Sequence, residues 1–81
     1  MKERMKNIQR ILKENGARIV SLELIDYYTD EYDMDIRTDS GASVGIIFRS
    51  DENSGDALKE ACEDMGNIND FRQIISALKD A

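Results

Sequence analysis

The sequence predicts an α+β domain: a three-stranded antiparallel meander sheet with helices on one face, in the order α-β-β-β-α-α. Three observations predict it. Apolar residues recur at helical spacing at both ends of the chain, they alternate with polar residues through the middle, and glycines punctuate the segments. Eighty-one residues suit one core, near the size where a single core only just suffices, so residues 1–81 read as a single domain.

Met5, Ile8, Ile11 and Leu12 form the stripe of a first helix from about residue 2 to Asn15, stopped by Asn15-Gly16. Its polar face is basic, a pattern that suits membrane surfaces or nucleic acid. The apolar stripe is modest, however, so packing on a sheet with solvated lysines and arginines is expected. Ala17 to Tyr28 reads as the first strand, with Val20, Leu22 and Leu24 facing the core. Tyr32 to Thr38 is the second, with Tyr32, Met34, Ile36 and Thr38 inward and Asp33, Asp35 and Arg37 outward. Ala42 to Arg49 is the third, with Val44, Ile46 and Phe48 inward and Ile47 and Arg49 outward. After a linker Ser50–Asn53, Ser54 is expected to cap a helix of about residues 55–65, with Ala57, Leu58, Ala61, Cys62 and Met65 as its stripe. Met65-Gly66 ends it. Asn67 then caps a last helix whose buried stripe is Ile68, Phe71, Ile74, Ile75 and Leu78.

Turn chemistry sets the expected register. Directly opposed residues of an antiparallel pair share a face. A three-residue loop Asp39-Ser40-Gly41 pairs Ile36 with Val44 and Met34 with Ile46. By the same rule, a Thr29-Asp30-Glu31 loop pairs Leu24 with Ile36 and Leu22 with Thr38. Glu23 then lies opposite Arg37 as a cross-strand ion pair, while Asp35 lies beside Ile25 and Asp33 beside Tyr27. On the third strand Asp35 and Asp33 face Gly45 and Ile47, so both are expected to be unneutralised. They sit on one face roughly 6.5–7 Å apart along the strand, comparable to successive phosphates on one nucleic-acid strand, which lie farther apart than the ~3.4 Å rise.

Charge is unevenly spread. Residues 1–18 carry six basic groups against Glu3 and Glu14, a net +4, while residues 19–81 carry five basic against fifteen acidic groups, a net −10. Asp26 to Asp39 alone holds six carboxylates and three tyrosines in fourteen residues. Such a surface repels nucleic acid and favours a basic protein partner. The competing reading is that the charge serves solubility only. Cys62 is the only cysteine and histidine is absent, which removes an internal disulfide, Ser-His and Cys-His nucleophiles, and His- or Cys-based zinc sites. No apolar run is long enough to span a membrane and no signal-peptide pattern opens the chain, so a cytoplasmic protein is expected.

Known carboxylate chemistries fit the pattern poorly. Asp33-x-Asp35 with Asp30 and Asp39 suggests calcium, but Arg37 stands where the calcium loop needs its third ligand, and alternation sends Asp33 and Asp35 outward in parallel. Paired acids also suggest glycoside hydrolysis, which needs a cleft that an open meander does not offer. No glycine-rich phosphate loop is present: Ser54-Gly55 and Gly41 to Gly45 lack the lysine and the strand-helix context. The element order is shared with double-stranded RNA-binding domains, but the segment that would be basic there reads S-G-D-A-L-K-E-A-C-E-D. The expectation is therefore a non-enzyme with no metal and no cofactor. It would bind no nucleic acid directly and no membrane, as a monomer or homodimer. Cys62, at a stripe position, reads as a buried inert thiol.

One constellation remains. Glu31, Asp33 and Asp35 on the outer sheet face, Asp30, Tyr27 and Tyr28 at the hairpin tip, and Glu60, Glu63 and Asp64 on the second helix are expected to form a continuous anionic, partner-binding surface. In element order and in its acidic second half the chain resembles the small anti-CRISPR proteins that inhibit Cas9. Its opening helix N-I-Q-R-I-L-K-E-N (Asn7–Asn15), followed directly by a strand, is similar too. The resemblance implies a phage- or mobile-element-encoded inhibitor acting in the host cell. Such a protein would mimic DNA where the nuclease's arginines read the PAM. The same electrostatics would suit an immunity protein or antitoxin that neutralises a basic nuclease toxin.

Overall fold

The computed structural model describes residues 2–49 and 51–80 and has the expected order: α1 (Lys2–Glu14), β1 (Ala17–Asp26), β2 (Glu31–Thr38), β3 (Ser43–Arg49), α2 (Ser54–Met65) and α3 (Ile68–Lys79). The strands form one antiparallel sheet in the order β1-β2-β3. Of the expected linker, Ser50 lies outside the described residues.

The helices cover one side of the sheet because each presents one apolar stripe to it. Ile8, Ile11 and Leu12 of α1, Ala57, Leu58 and Cys62 of α2, and Phe71, Ile74, Ile75 and Leu78 of α3 meet Met34, Ile36, Val44, Ile46 and Phe48 of the sheet in one core. α1 packs on β1, α2 on β3, and α3 against both helices. The approach of α2 to α3 needs Gly55: a Cβ there would fall 2.5 Å from the Lys79 backbone nitrogen and 2.8 Å from the Ile75 carbonyl oxygen. The basic α1 thus spends its apolar stripe on the core.

β2 and β3 pair as the alternation predicts, Ile36 opposite Val44 and Met34 opposite Ile46. The three-residue loop closes on hydrogen bonds from Thr38 N to Ala42 O (2.8 Å) and from Gly41 N to Thr38 O (3.0 Å). Gly41 takes the left-handed conformation the loop requires, φ +98°.

β1 departs from expectation. It ends at Asp26, and the turn is Tyr27 to Asp30, one residue longer than the expected Thr29-Asp30-Glu31 loop. The Asp26 carboxylate accepts from Tyr28 N (2.9 Å) and Thr29 N (3.4 Å), and Asp30 closes the turn at φ +51°. An aspartate that satisfies the backbone two residues on initiates a turn at its own position. The β1–β2 register is therefore Leu24 opposite Tyr32 and Leu22 opposite Met34, four residues along β2 from the expected partners Ile36 and Thr38. A shift of four preserves parity, so Leu22 and Leu24 still share the core side. An irregularity between Ile19 and Ser21 then brings Ile19 opposite Ile36 and Ala17 opposite Thr38, and one between Leu24 and Asp26 brings Asp26 opposite Glu31.

Two consequences correct the sequence reading. The Glu23–Arg37 ion pair does not exist: Glu23 lies opposite Asp33, and Arg37 opposite Arg18. Val20, Leu22 and Leu24 are not core residues but 42 to 44% exposed. The ten residues of β1 extend about 33 Å, whereas the thirteen of α1 extend about 20 Å. The far half of the strand overhangs the helical layer.

Three smaller corrections concern the helix ends. Asn53, not Ser54, caps α2, its side chain accepting from Asp56 N at 3.1 Å, and Ser54 is buried inside the first turn. Asn67 makes no side-chain cap for α3; its Nδ2 donates to the Ser43 carbonyl at 3.1 Å. Met65 is 67% exposed instead of closing the α2 stripe.

Candidate functional site

The outer side of the sheet carries the charge that folding does not use. With Met34 and Ile36 wholly buried on the helical side, the odd positions of β2 point the other way. Register then lays out four cross-strand rows: Arg18, Arg37 and Ser43; Ser21, Asp35 and Gly45; Glu23, Asp33 and Ile47; Asp26, Glu31 and Arg49. Five carboxylates occupy the last three rows.

Asp35 is held in place. Ser21 Oγ donates to its Oδ2 at 2.8 Å. Its Oδ1 lies where a Cβ on residue 45 would come within 2.8 Å, so Gly45 supplies the space the carboxylate lies in. Asp33 has a like charge, Glu23, on one side and the exposed Ile47 on the other. Among the described residues Glu23, Glu31, Asp33 and Asp30 make no ion pair. Two of the three cations on this face are engaged elsewhere, and Arg37 makes no ion pair with these carboxylates among the described residues. Arg49 Nε lies 3.8 Å from both Asp51 and Glu52, and Arg18 Nη1 lies 3.9 Å from Asp39. The rows thus keep a net negative charge.

Tyr27 and Tyr28 project from the hairpin tip, 82% and 97% exposed, edge to face with ring centroids 6.5 Å apart. Glu60, Glu63 and Asp64 are exposed on α2, in the helical layer. Met65, next on that helix, lines a shallow depression of about 260 Å³ with Val20, Asp35, Arg37, Ser43, Val44 and Gly45. The C-terminal end of α2 is therefore where the helical layer meets the outer face.

Sequence reasoning placed Gly45 and Glu23 on this face but gave Glu23 the wrong partner, and it missed Ser21 as the partner of Asp35 and Asp26 and Met65 as parts of the face. Alternation and the shorter loop assign Glu23 to neutralising Arg37. The signal that places it correctly is Asp26 directly before Tyr-Tyr-Thr, an aspartate able to start the turn early.

Elsewhere the chemistry is structural. Burial, reinforced by the Asp70 charge, pushes the Cys62 thiol up to about 11, so it stays protonated near neutrality. A cleft of about 560 Å³ runs between α1 and the loop before α2. There the Arg4 guanidinium donates to the Glu52 carbonyl and sits 5.4 Å from the Phe48 ring centroid, bracing α1 against that loop. Among the described residues no three His, Cys, Asp or Glu side chains are grouped to hold a metal ion. Nor is any helix among them long and apolar enough to cross a membrane. No protein-family model, curated protein or solved structure matches the chain.

Proposed function

We propose that this chain is a non-catalytic acidic inhibitor that occupies the basic nucleic-acid-binding site of a partner protein, in the manner of the anti-CRISPR proteins it resembles. The observation that carries this reading is the set of carboxylate rows formed by Asp33, Asp35, Glu23, Asp26 and Glu31 on the uncovered side of the sheet. Adjacent carboxylates lie roughly 6.5–7 Å apart along β2 and about 4.8 Å apart across strands. That is a rigid array on the scale of a phosphate backbone.

A merely solvating surface would not need this arrangement. Like charges placed directly opposite one another in a sheet destabilise it, and Glu23 against Asp33 is such a pair. A local conflict that folding does not require is the pattern expected where function sets the residues. The exposed tyrosines at the tip supply flat apolar area that can anchor the contact next to the charge. Asp33, Asp35, Asp30 and Glu31 would face the arginines and lysines of the partner's groove, with Tyr27 as anchor.

The test uses a guide-loaded Cas9-type nuclease and a fluorescent target duplex carrying its PAM. The wild-type chain is expected to displace the duplex, with an association rate that falls as salt rises. Asp33→Lys combined with Asp35→Lys should abolish displacement while the domain stays folded. Failure of the wild type to bind the nuclease refutes the assignment of that partner. Displacement that survives the double charge reversal refutes the face.

A further inference from the structure

We propose that the free edge of β1 pairs antiparallel with β1 of a second copy of this chain, joining two sheets into one of six strands. The two edges of the sheet differ. α2 packs against β3, and Asn67 Nδ2 donates to the Ser43 carbonyl at the start of that strand. β1 is the opposite edge and the longest strand, and among the described residues it pairs with β2 alone. Its overhanging half is apolar, Leu22, Leu24 and Ile25 being 42 to 45% exposed, and Val20, at the irregularity before it, is 44% exposed. A long apolar edge of this kind is a template for another strand; β1 has two irregularities but neither lysine nor proline along it.

Charge identifies the occupant as a second copy. Within one chain the rows end in two like-charge pairs, Arg18 with Arg37 and Glu23 with Asp33. Antiparallel pairing about a two-fold axis brings the basic end of each β1 alongside the acidic end of the other. With Arg18 opposite the second copy's Glu23, each row reads Arg37, Arg18, Glu23, Asp33 across four strands, and both like-charge pairs gain an opposite neighbour. In that register Ile19 meets Leu22 and Ala17 meets Leu24, so helix-side residues stay on the helix side. The Val20 irregularities of the two copies lie against each other. One paired strand buries less than the ~1,200 Å² that marks the low end of stable interfaces, so the dimer is expected to depend on concentration. This inference stands apart from the proposed function, and its consequence is to place two copies of the carboxylate rows on one continuous face.

The test is sedimentation equilibrium of the full chain from about 1 µM to about 1 mM, a range that brackets weak association. The wild type should rise from one to two chains. Arg18→Glu and Glu23→Lys should each weaken the dimer at least about tenfold, and an equimolar mixture of the two should recover it. In the mixed dimer the two substituted positions face each other with opposite charges, and the unsubstituted Arg18 and Glu23 do the same. Within each chain Glu23→Lys turns the Glu23–Asp33 like-charge pair into an opposite one, so that variant should melt at or above the wild type, whereas Arg18→Glu relieves the Arg37 repulsion but gives up the Arg18–Asp39 ion pair and should remain folded. The proposal is overturned by a wild type that remains monomeric throughout, by a dimer that both variants retain, or by folded variants whose mixture stays monomeric. No partner nuclease enters the experiment, so its outcome is separate from that of the inhibition test.

Discussion

Asp33→Lys should make the domain more stable while weakening binding to the proposed basic partner. The perturbation acts on one cross-strand pair. Asp33 is directly opposite Glu23 on β1 and faces uncharged Ile47 on β3, so the substitution replaces a repulsion with an attraction and disturbs no ion pair. Opposed charges in a sheet contribute roughly 0.2–1 kcal/mol, and like charges cost a similar amount. Reversing one partner should therefore stabilise by about 1 kcal/mol. For a domain of this size that raises the thermal midpoint by about 4–8 °C. The measurement is circular dichroism on heating at low salt and again at about 1 M salt, where a Debye length near 3 Å should remove most of the gain. Arg37→Glu, opposite Arg18, should behave the same way. The reasoning is refuted if Asp33→Lys leaves the midpoint unchanged and Arg37→Glu lowers it. That is the outcome expected if Glu23 faced Arg37 and Asp33 faced Tyr27.

Two further outcomes test the helical layer. Gly55→Val should destabilise by about 1–3 kcal/mol, read as a lowered urea midpoint, because its side chain would enter the backbone of α3 at Lys79 and Ile75. Cys62 should make stability fall in alkali: its thiol is raised from 9.0 to about 11 by burial and then by Asp70, so the folded state holds a proton the unfolded state releases. Its contribution is complete below pH 9 and is lost as pH rises through about 11, so the stability difference between wild type and Cys62→Ala should shrink over that window.

The acidic face was partly legible in advance. Asp33 and Asp35 could be placed on the outer side because Met34 and Ile36 beside them are apolar, and the structure buries both completely. Their β3 neighbours, Gly45 and Ile47, also followed from the Asp39-Ser40-Gly41 loop. What alternation could not show was β1. A period-two pattern assigns faces and leaves the opposing residues undefined. An early turn at Asp26 and two irregularities in the strand changed every partner of Glu23, Arg37, Asp33 and Asp35 on that side. The expected neutral pair Glu23–Arg37 became two like-charge pairs.

By itself the sequence determined the element order, the helix stripes apart from Met65, the β2–β3 register and the concentration of acid between Asp26 and Asp39. These depend on residues near one another in the chain, through periodicity, loop length and the conformational freedom of Gly41. Only the tertiary structure decided which charges are neutralised and which apolar residues stay outside. Neutralisation depends on cross-strand register, which the Asp26 turn and the packing of three strands set together. Exposure of Leu22, Leu24 and Ile25 depends on a ten-residue strand outreaching the helix that covers it, and exposure of Val20 on the irregularity between Ile19 and Ser21.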